Sequence, residues 1–570
     1  MFMNVHFCAV FRVMFKCLRK LPIIFKRFTN VKVKEMSERV HRNSAYLNGK
    51  STTGTTTRVK DTSSTSGMCP ICIRDCPIMC EISLSAFRGR EALYPEPVQF
   101  GYSTAGALKD FGLDWSHFNI QASLFEVFGI EENSDVALFP NASTETKVGG
   151  IPLKVPVLAG AFGSTDVARL NWEGLAIGTA LSGATIVVGE NVCGMDPEAQ
   201  FTKGKVTSSK ELKRRVDLFR KFWDGKYGDI AVQTNVEDQR LGVDIYAISK
   251  LEVNIIERKW GQGAKAIGGE VRVRDLDRAI MLKKRGYIVI PDPEDPTVQR
   301  AFKEGVFKSF ERHSRVGIPK EKNFVEDIEW LREQGAKHVT LKTGAYRPSA
   351  VAYTMKIASE AKIDAVYFDG AGGGTGMSPV PMMDEMSIPT VYLEAIVLKC
   401  AQILKKKGRY VPDLIMAGGF INETQIFKAM AMSNFGDGSF VKAVLMGRSP
   451  LTAVMKANYF KQLAEEGKLP KAFADRFGAT PEKFFIAAPE LRAQYSERFK
   501  EIPWEAIALY TYLTDRIGVG LKQLLAGARK WKLELIDRND LMSLSETAAK
   551  VTGIPMPHEI EKDSIERILD

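Results

Sequence analysis

The sequence predicts an α/β fold: a (β/α)8 TIM barrel carrying an N-terminal Cys-rich segment and a C-terminal helical extension. Three observations predict it. Eight short apolar runs end in glycine or a polar residue, amphipathic stretches separate them, and the whole pattern extends over roughly 300 residues, as a barrel of about 250 residues with insertions requires. Near-continuous apolar runs suit strands buried on both faces of a parallel sheet.

The runs are VPVLAG (155–160), ATIVVGEN (184–191), IAVQTN (230–235), NIIERKW (254–260), HVTLKTG (338–344), AVYFDGAGGG (365–374), DLIMAGGF (413–420) and AVLMGR (443–448). Between them, VEDIEWLREQGAK (325–337) has helical periodicity and stops at Gly335 and Lys337, as helices do. Alternating strands and helices leave a doubly wound sheet or a barrel, and eight units favour the barrel.

The expected organisation has four parts. Residues 1–67 form a basic extension and linker, 68–150 a Cys-cluster segment and cap, 151–470 the barrel, and 471–570 the helical extension. Residues 44–67 are rich in Ser, Thr and Gly and lack the apolar material for a core. The stretch 81–150 is expected to be irregular or helical, because no strand alternation is sustained there.

The net charge is +11, but residues 1–35 hold eight Lys/Arg against one Glu and so carry +7 of it. The near-balanced remainder argues against a nucleic-acid-binding domain. Residues 7–28 are apolar but broken by six basic residues, and no transmembrane span or secretory signal is expected. That segment reads either as a basic amphipathic surface helix or as residues upstream of a start at Met36.

In a barrel the chemistry sits where strands end. Here the strand ends hold Glu190, Gln233, Glu257, Lys259, Lys342 and Asp369. The loops after strands seven and eight are where barrels hold phosphate. Gly418-Gly419 and Gly447-Arg448 fall there, offering bare backbone N–H groups and close approach. Lys342, buried at a strand end, needs a partner such as Glu190 or Asp369, or a bound anionic group. Neither a Rossmann GxGxxG nor a Walker A loop is present.

These residues carry a resemblance. GQGAK (261–265), with Glu257 and Lys259 before it and Gly268-Gly269 after it, resembles the E-x-K-x-x-Q-G-A-K-P-G-x-G-G signature of the FMN-binding glutamate synthase family. AGAFGS (159–164), GEN (189–191), GGGTGMSP (372–379), AGGF (417–420) and ELIDRNDL (534–541) resemble that family's other barrel motifs, in the same order. The resemblance covers about 150–545 and implies a stand-alone FMN barrel. In such a barrel reduced FMN reduces 2-iminoglutarate, formed from 2-oxoglutarate and ammonia, to glutamate. It implies flavin against Ala159–Phe162, with Ala161 in contact, and Gln262 and Lys342 at its polar edge. Gly418, Gly419, Gly447 and Arg448 then take the phosphate, Lys265 meets the substrate carboxylate, and Glu190 carries protons.

Two departures touch the substrate pocket. The signature reads AKAIGG, one residue short, and Gly372 stands where the family has Asp. No glutaminase-type N-terminal cysteine is present, so ammonia or an amine is expected from solution or another subunit. Alternative readings are a flavin oxidoreductase acting on another amino acid or an N-alkylated one, and a flavin/iron–sulfur electron-transfer subunit.

Cys69, Cys72, Cys76 and Cys80 are spaced C-x2-C-x3-C-x3-C, close enough to wrap one 4Fe-4S cluster or one zinc. Their tight spacing favours iron–sulfur over paired zinc knuckles. Cys193 and Cys400 read as small buried apolar residues. The expected setting is cytoplasmic. The expected partners are a 2-oxo acid or amino acid, an electron donor such as ferredoxin or a partner subunit, and further subunits in a homo-oligomer or complex.

Overall fold

In the computed structural model the structure describes residues 73–76, 81–88, 111–263, 266–307, 309–374, 382 and 386–570. The expectations for residues 1–67 and for Cys69, Cys72, Cys80 and Lys265 lie outside them.

Eight parallel strands close into a barrel. They are β1 (Val157–Phe162), β2 (Thr185–Val188), β3 (Ile230–Thr234), β4 (Ile255–Lys259), β5 (His338–Gly344), β6 (Ala365–Asp369), β7 (Asp413–Ala417) and β8 (Val441–Met446). Each falls within or beside one of the eight apolar runs. Closure is made by Val444–Met446 of β8 against Val157–Ala159 of β1.

Two apolar layers result. Alternate strand residues such as Leu158, Val187, Ala231, Ile255, Ile415 and Leu445 fill the barrel's interior. Their neighbours pack outward against the helices. The hairpin of Thr146–Val148 and Ile151–Leu153 joins the interior cluster through Val148 and Leu153. Its turn is tied to β7 by the Gly149 N–H, which donates to Asp413 Oδ2 at 2.8 Å. With the interior filled by side chains, the polar strand ends are left to the opposite, C-terminal mouth.

Five helices frame the C-terminal mouth or pack behind it: α1 (Glu81–Arg88), α2 (Trp172–Leu181), α3 (Val236–Leu241), α4 (Glu423–Met432) and α5 (Arg448–Glu465). Asn235 caps α3 and Asn422 caps α4, each accepting two backbone N–H groups. The helix expected around 325–337 runs from Glu321 to Glu333.

Some elements were not expected. Between β4 and β5 an antiparallel three-stranded sheet is inserted, with Phe310–His313 central between Glu270–Val273 and Ile288–Ile290. Its strands hold three or four residues each, too short for a period of two to stand out. The stretch expected to be irregular or helical also supplies a strand, Phe118–Ile120, which pairs antiparallel with Leu541–Ser543.

The C-terminal region continues as α6 (Trp504–Tyr510), a π-helical segment Thr511–Gly518, and α7 (Val519–Gly527). α6 packs closely on α2. Phe87 of α1 is buried among Phe460, Phe473, Phe484 and Phe485, with ring centroids 5.1–5.8 Å away. Lys456 of α5 donates to the Cys76 carbonyl at 2.7 Å, which seats the described part of the cysteine segment on that helix. Among the described residues no helix is long and apolar enough to cross a membrane.

Candidate active site at the C-terminal mouth of the barrel

One cavity of about 310 Å³ opens at the C-terminal ends of the strands, at the lower end of the roughly 300–1,000 Å³ typical of ligand pockets. It brings together eight of the residues expected from the sequence: Ala161, Glu190, Gln262, Lys342, Gly418, Gly419, Gly447 and Arg448. Ala159, by contrast, is buried in the wall behind Gly160 and Ala161.

On one side lies an anion cradle. Gly418 and Gly419 have φ of +110° and +95°, a region that L side chains rarely adopt. A Cβ at Gly418 would stand 2.7 Å from Thr390 Oγ1 and 2.8 Å from the Gly370 carbonyl, so backbone approach here excludes any side chain. Four successive carbonyls are engaged by side-chain donors. Thr390 Oγ1 donates to Gly418 O (2.8 Å), Gln425 Nε2 to Gly419 O (3.4 Å), Ser449 Oγ to Phe420 O (3.3 Å) and Tyr512 Oη to Ile421 O (2.5 Å). Across a planar trans peptide the next N–H points the opposite way. The N–H groups of Gly419 and Phe420 are thereby directed away from these donors, and both residues line the cavity.

Two helices begin beside them: α4 just after Asn422, and α5, whose N-cap is Gly447. Their positive ends add to the cradle. Arg448, the first residue of α5, also donates to Gly372 O at 3.2 Å. This combination of bare N–H groups, two helix N-termini and one guanidinium suits a phosphate.

The same cavity is lined by a ring of charges. Lys342 Nζ is 3.4 Å from Asp369 Oδ2, which selects Asp369 from the two partners expected for it. Glu190 pairs instead with Lys259, at 3.0 Å, and Asn235 Nδ2 donates to the same Glu190 oxygen at 3.0 Å. Lys259 also donates to Gln262 Oε1 at 2.7 Å. Burial opposes ionisation of Glu190, but the Lys259 ammonium, the Arg312 guanidinium and the Asn235 amide outweigh it and hold the carboxyl below the usual range. Glu190 is therefore a carboxylate here, able to accept a proton rather than to give one.

Beneath the ring, buried Gln233 donates to Glu257. Burial raises the Glu257 pKa, opposed by Lys342 nearby.

Arg312, a lining residue, was not among those expected from the sequence. Arg312 reaches the cavity from the central strand of the inserted sheet. It is 1% exposed, and its Nη1 donates to Ser314 Oγ at 2.5 Å, while its Nε has no hydrogen-bond partner among the described residues. A buried guanidinium with a spare donor is a ready anchor for a carboxylate. Lys259 was visible within the signature, but only its contact with Glu190 shows its place in the ring. Asp238 of α3 accepts the Asn191 N–H with both carboxylate oxygens (3.1 and 2.9 Å) and so fixes the turn that carries Glu190.

The cysteine cluster has a single described member. Cys76 is buried. Among the described residues no group of three or more His, Cys, Asp or Glu is placed to hold a metal. Cys193 is buried and burial raises its thiol pKa, whereas Cys400 is only half-buried, on the outer part of helix Thr390–Lys406.

The conserved region in glutamate synthase matches residues 299–453 of this chain. That span holds Arg312, Lys342 and both glycine turns, while Glu190, Lys259 and Gln262 precede it. No curated protein matches the chain. Solved structures similar to it include a lactate oxidase of Pediococcus acidilactici (14% identity, 75% of this chain and 84% of that one, TM-score 0.38). A mandelate oxidase (9%, 74% and 86%, 0.38) and the monotopic membrane protein (S)-mandelate dehydrogenase (13%, 82% and 93%, 0.37) are also similar.

Proposed function

Residues 299–453 carry the conserved region of glutamate synthase, and from that relation we propose that the chain is a flavin oxidoreductase whose cavity holds FMN. On this reading it reductively aminates a 2-oxo acid, 2-oxoglutarate first among candidates. The observation that carries it is that an anion cradle and a ring of fixed charges line one cavity. The residues present fit the cofactor. Gly418, Gly419, Gly447 and Arg448 take the phosphate. Gly160 and Ala161 give a side-chain-poor wall for the ring system: a Cβ at Gly160 would meet Val187 O at 2.7 Å. Lys342 and Gln262 lie on the cavity's polar side.

When bound, FMN supplies the hydride. The chain's own groups do the rest. Arg312 binds the substrate carboxylate and orients its 2-carbon. The overall change is 2-oxo acid plus ammonia to imine plus water, then imine plus hydride and one proton to the amino acid. Lys259, paired with Glu190 at 3.0 Å, offers a proton at Nζ to the substrate nitrogen. Glu190 then takes a proton from solvent and passes it to Lys259 Nζ, which restores the pair. Lys342, which lines the cavity, would supply a positive charge that stabilises the reduced cofactor.

Iron–sulfur ligation by Cys69, Cys72, Cys76 and Cys80 remains part of this proposal, as a route for single electrons from an external donor; anaerobic iron and sulfide analysis tests it. The reaction itself is tested by photoreducing the FMN-loaded protein without oxygen and adding 2-oxoglutarate with ammonium. Reoxidation that requires both supports the assignment. Reoxidation by neither, or by a different acid alone, removes it.

A further inference from the structure

The geometry assigns the π-helical segment Thr511–Gly518, outside the barrel, to the phosphate cradle: Tyr512 and Arg516 act as positioning residues on Ile421 and Glu423. This inference rests on the reading of the cavity as an FMN site. Tyr512 and Arg516 are each 1% exposed, so neither is a surface contact. Tyr512 Oη donates to Ile421 O at 2.5 Å, the last of the four carbonyls engaged by side-chain donors. Arg516 donates to Glu423, the first residue of α4. The two side chains, four residues apart, therefore grip one loop from one face of the segment.

The chemistry explains why a cation is needed there. Glu423 is 4% exposed and is the first residue of α4, which starts three residues after Phe420, the end of the glycine turn that lines the cavity. A carboxylate in that position competes with a phosphate for the positive helix end. Buried without a counter-ion it would also repel the incoming dianion, because burial weakens screening. Arg516 cancels that charge and leaves the helix end to the ligand. Tyr512 fixes the peptide plane between Ile421 and Asn422, the helix cap.

The test uses the full chain and two ligands that differ only in the phosphate: FMN and riboflavin, titrated by fluorescence quenching. The wild type is expected to prefer FMN. Tyr512→Phe and Arg516→Met are expected to raise the FMN dissociation constant about tenfold or more, leaving riboflavin within about twofold. Adding Glu423→Gln to Arg516→Met removes the unpaired carboxylate and is expected to recover most of the lost FMN affinity. An FMN-to-riboflavin ratio unchanged in the variants overturns the inference, whether both ligands weaken together or neither does. Tyr512→Phe, which deletes one hydroxyl, decides the matter if Arg516→Met does not fold. A wild type that binds riboflavin as tightly as FMN, or binds neither, overturns instead the reading of the cavity on which the inference rests.

Discussion

Lys259 Nζ stands 3.0 Å from Glu190 Oε2, joining the end of β4 to the turn that follows β2. This pair helps to keep Glu190 ionised at the mouth of the cavity. Glu190→Gln breaks the pair without changing the shape of the side chain. It is expected to lower turnover by about 10²–10⁴-fold, the usual range for a positioned proton-transfer group, and to leave FMN content unchanged. Rapid mixing of reduced protein with substrate measures it; unchanged turnover would remove both residues from the proton path.

Arg312 is expected to act on substrate and not on cofactor. Arg312→Ala should raise KM for the 2-oxo acid by about 10- to 100-fold, as loss of a charged hydrogen bond does, with a smaller change in kcat and none in FMN affinity. Steady-state kinetics with FMN titration separates these. Equal loss of FMN would show that the inserted sheet supports the barrel rather than the substrate.

The pairing of Lys342 with Asp369 at 3.4 Å predicts an effect on potential. Lys342→Met leaves a carboxylate without its ammonium near the electron-rich edge. It should lower the two-electron midpoint potential of bound flavin, by about 30 mV for each 1.4 kcal/mol of stabilisation lost. A reductive titration against a reference dye reads this, and an unchanged potential would take Lys342 away from the flavin edge.

Asp238 predicts a pH dependence. Burial, with Glu190 close by, raises its pKa from 3.8 to about 7, against the pull of the Asn191 and Asn235 N–H groups and of Arg312. Between these values the unfolded chain releases the proton and the folded chain keeps it. Through this group, stability falls as pH rises from about 4 to about 7, by up to about 1.4 kcal/mol per pH unit, and is level outside that window. Asp238→Asn should flatten this slope in urea unfolding between about pH 4 and about pH 7. Parallel curves for the two proteins would contradict it.

The barrel was legible because buried parallel strands write themselves as apolar runs, and HVTLKTG matches β5 residue for residue. The cradle was legible because Gly418 and Gly419 form a glycine pair at a strand end, and at Gly418 no side chain fits. Arg312 was not, because it arrives from a short inserted strand far from any strand end. Asp238 was hidden for a different reason: its sequence context is a capping box at the start of α3, and only folding brings its carboxylate to the Asn191 N–H. The roles of Tyr512 and Arg516 depend on contacts across some ninety residues, Tyr512 to Ile421 and Arg516 to Glu423, which no local pattern records.

Every role assigned to these residues depends on the strand-end cavity being an FMN site. The decisive measurement strips the full chain of bound small molecules and titrates it with FMN. Saturation at one FMN per chain is expected, with its loss in Gly418→Val, whose side chain cannot fit against Thr390. A wild type that takes up no FMN, or a Gly418→Val protein that binds it as well as the wild type, would contradict the assignment.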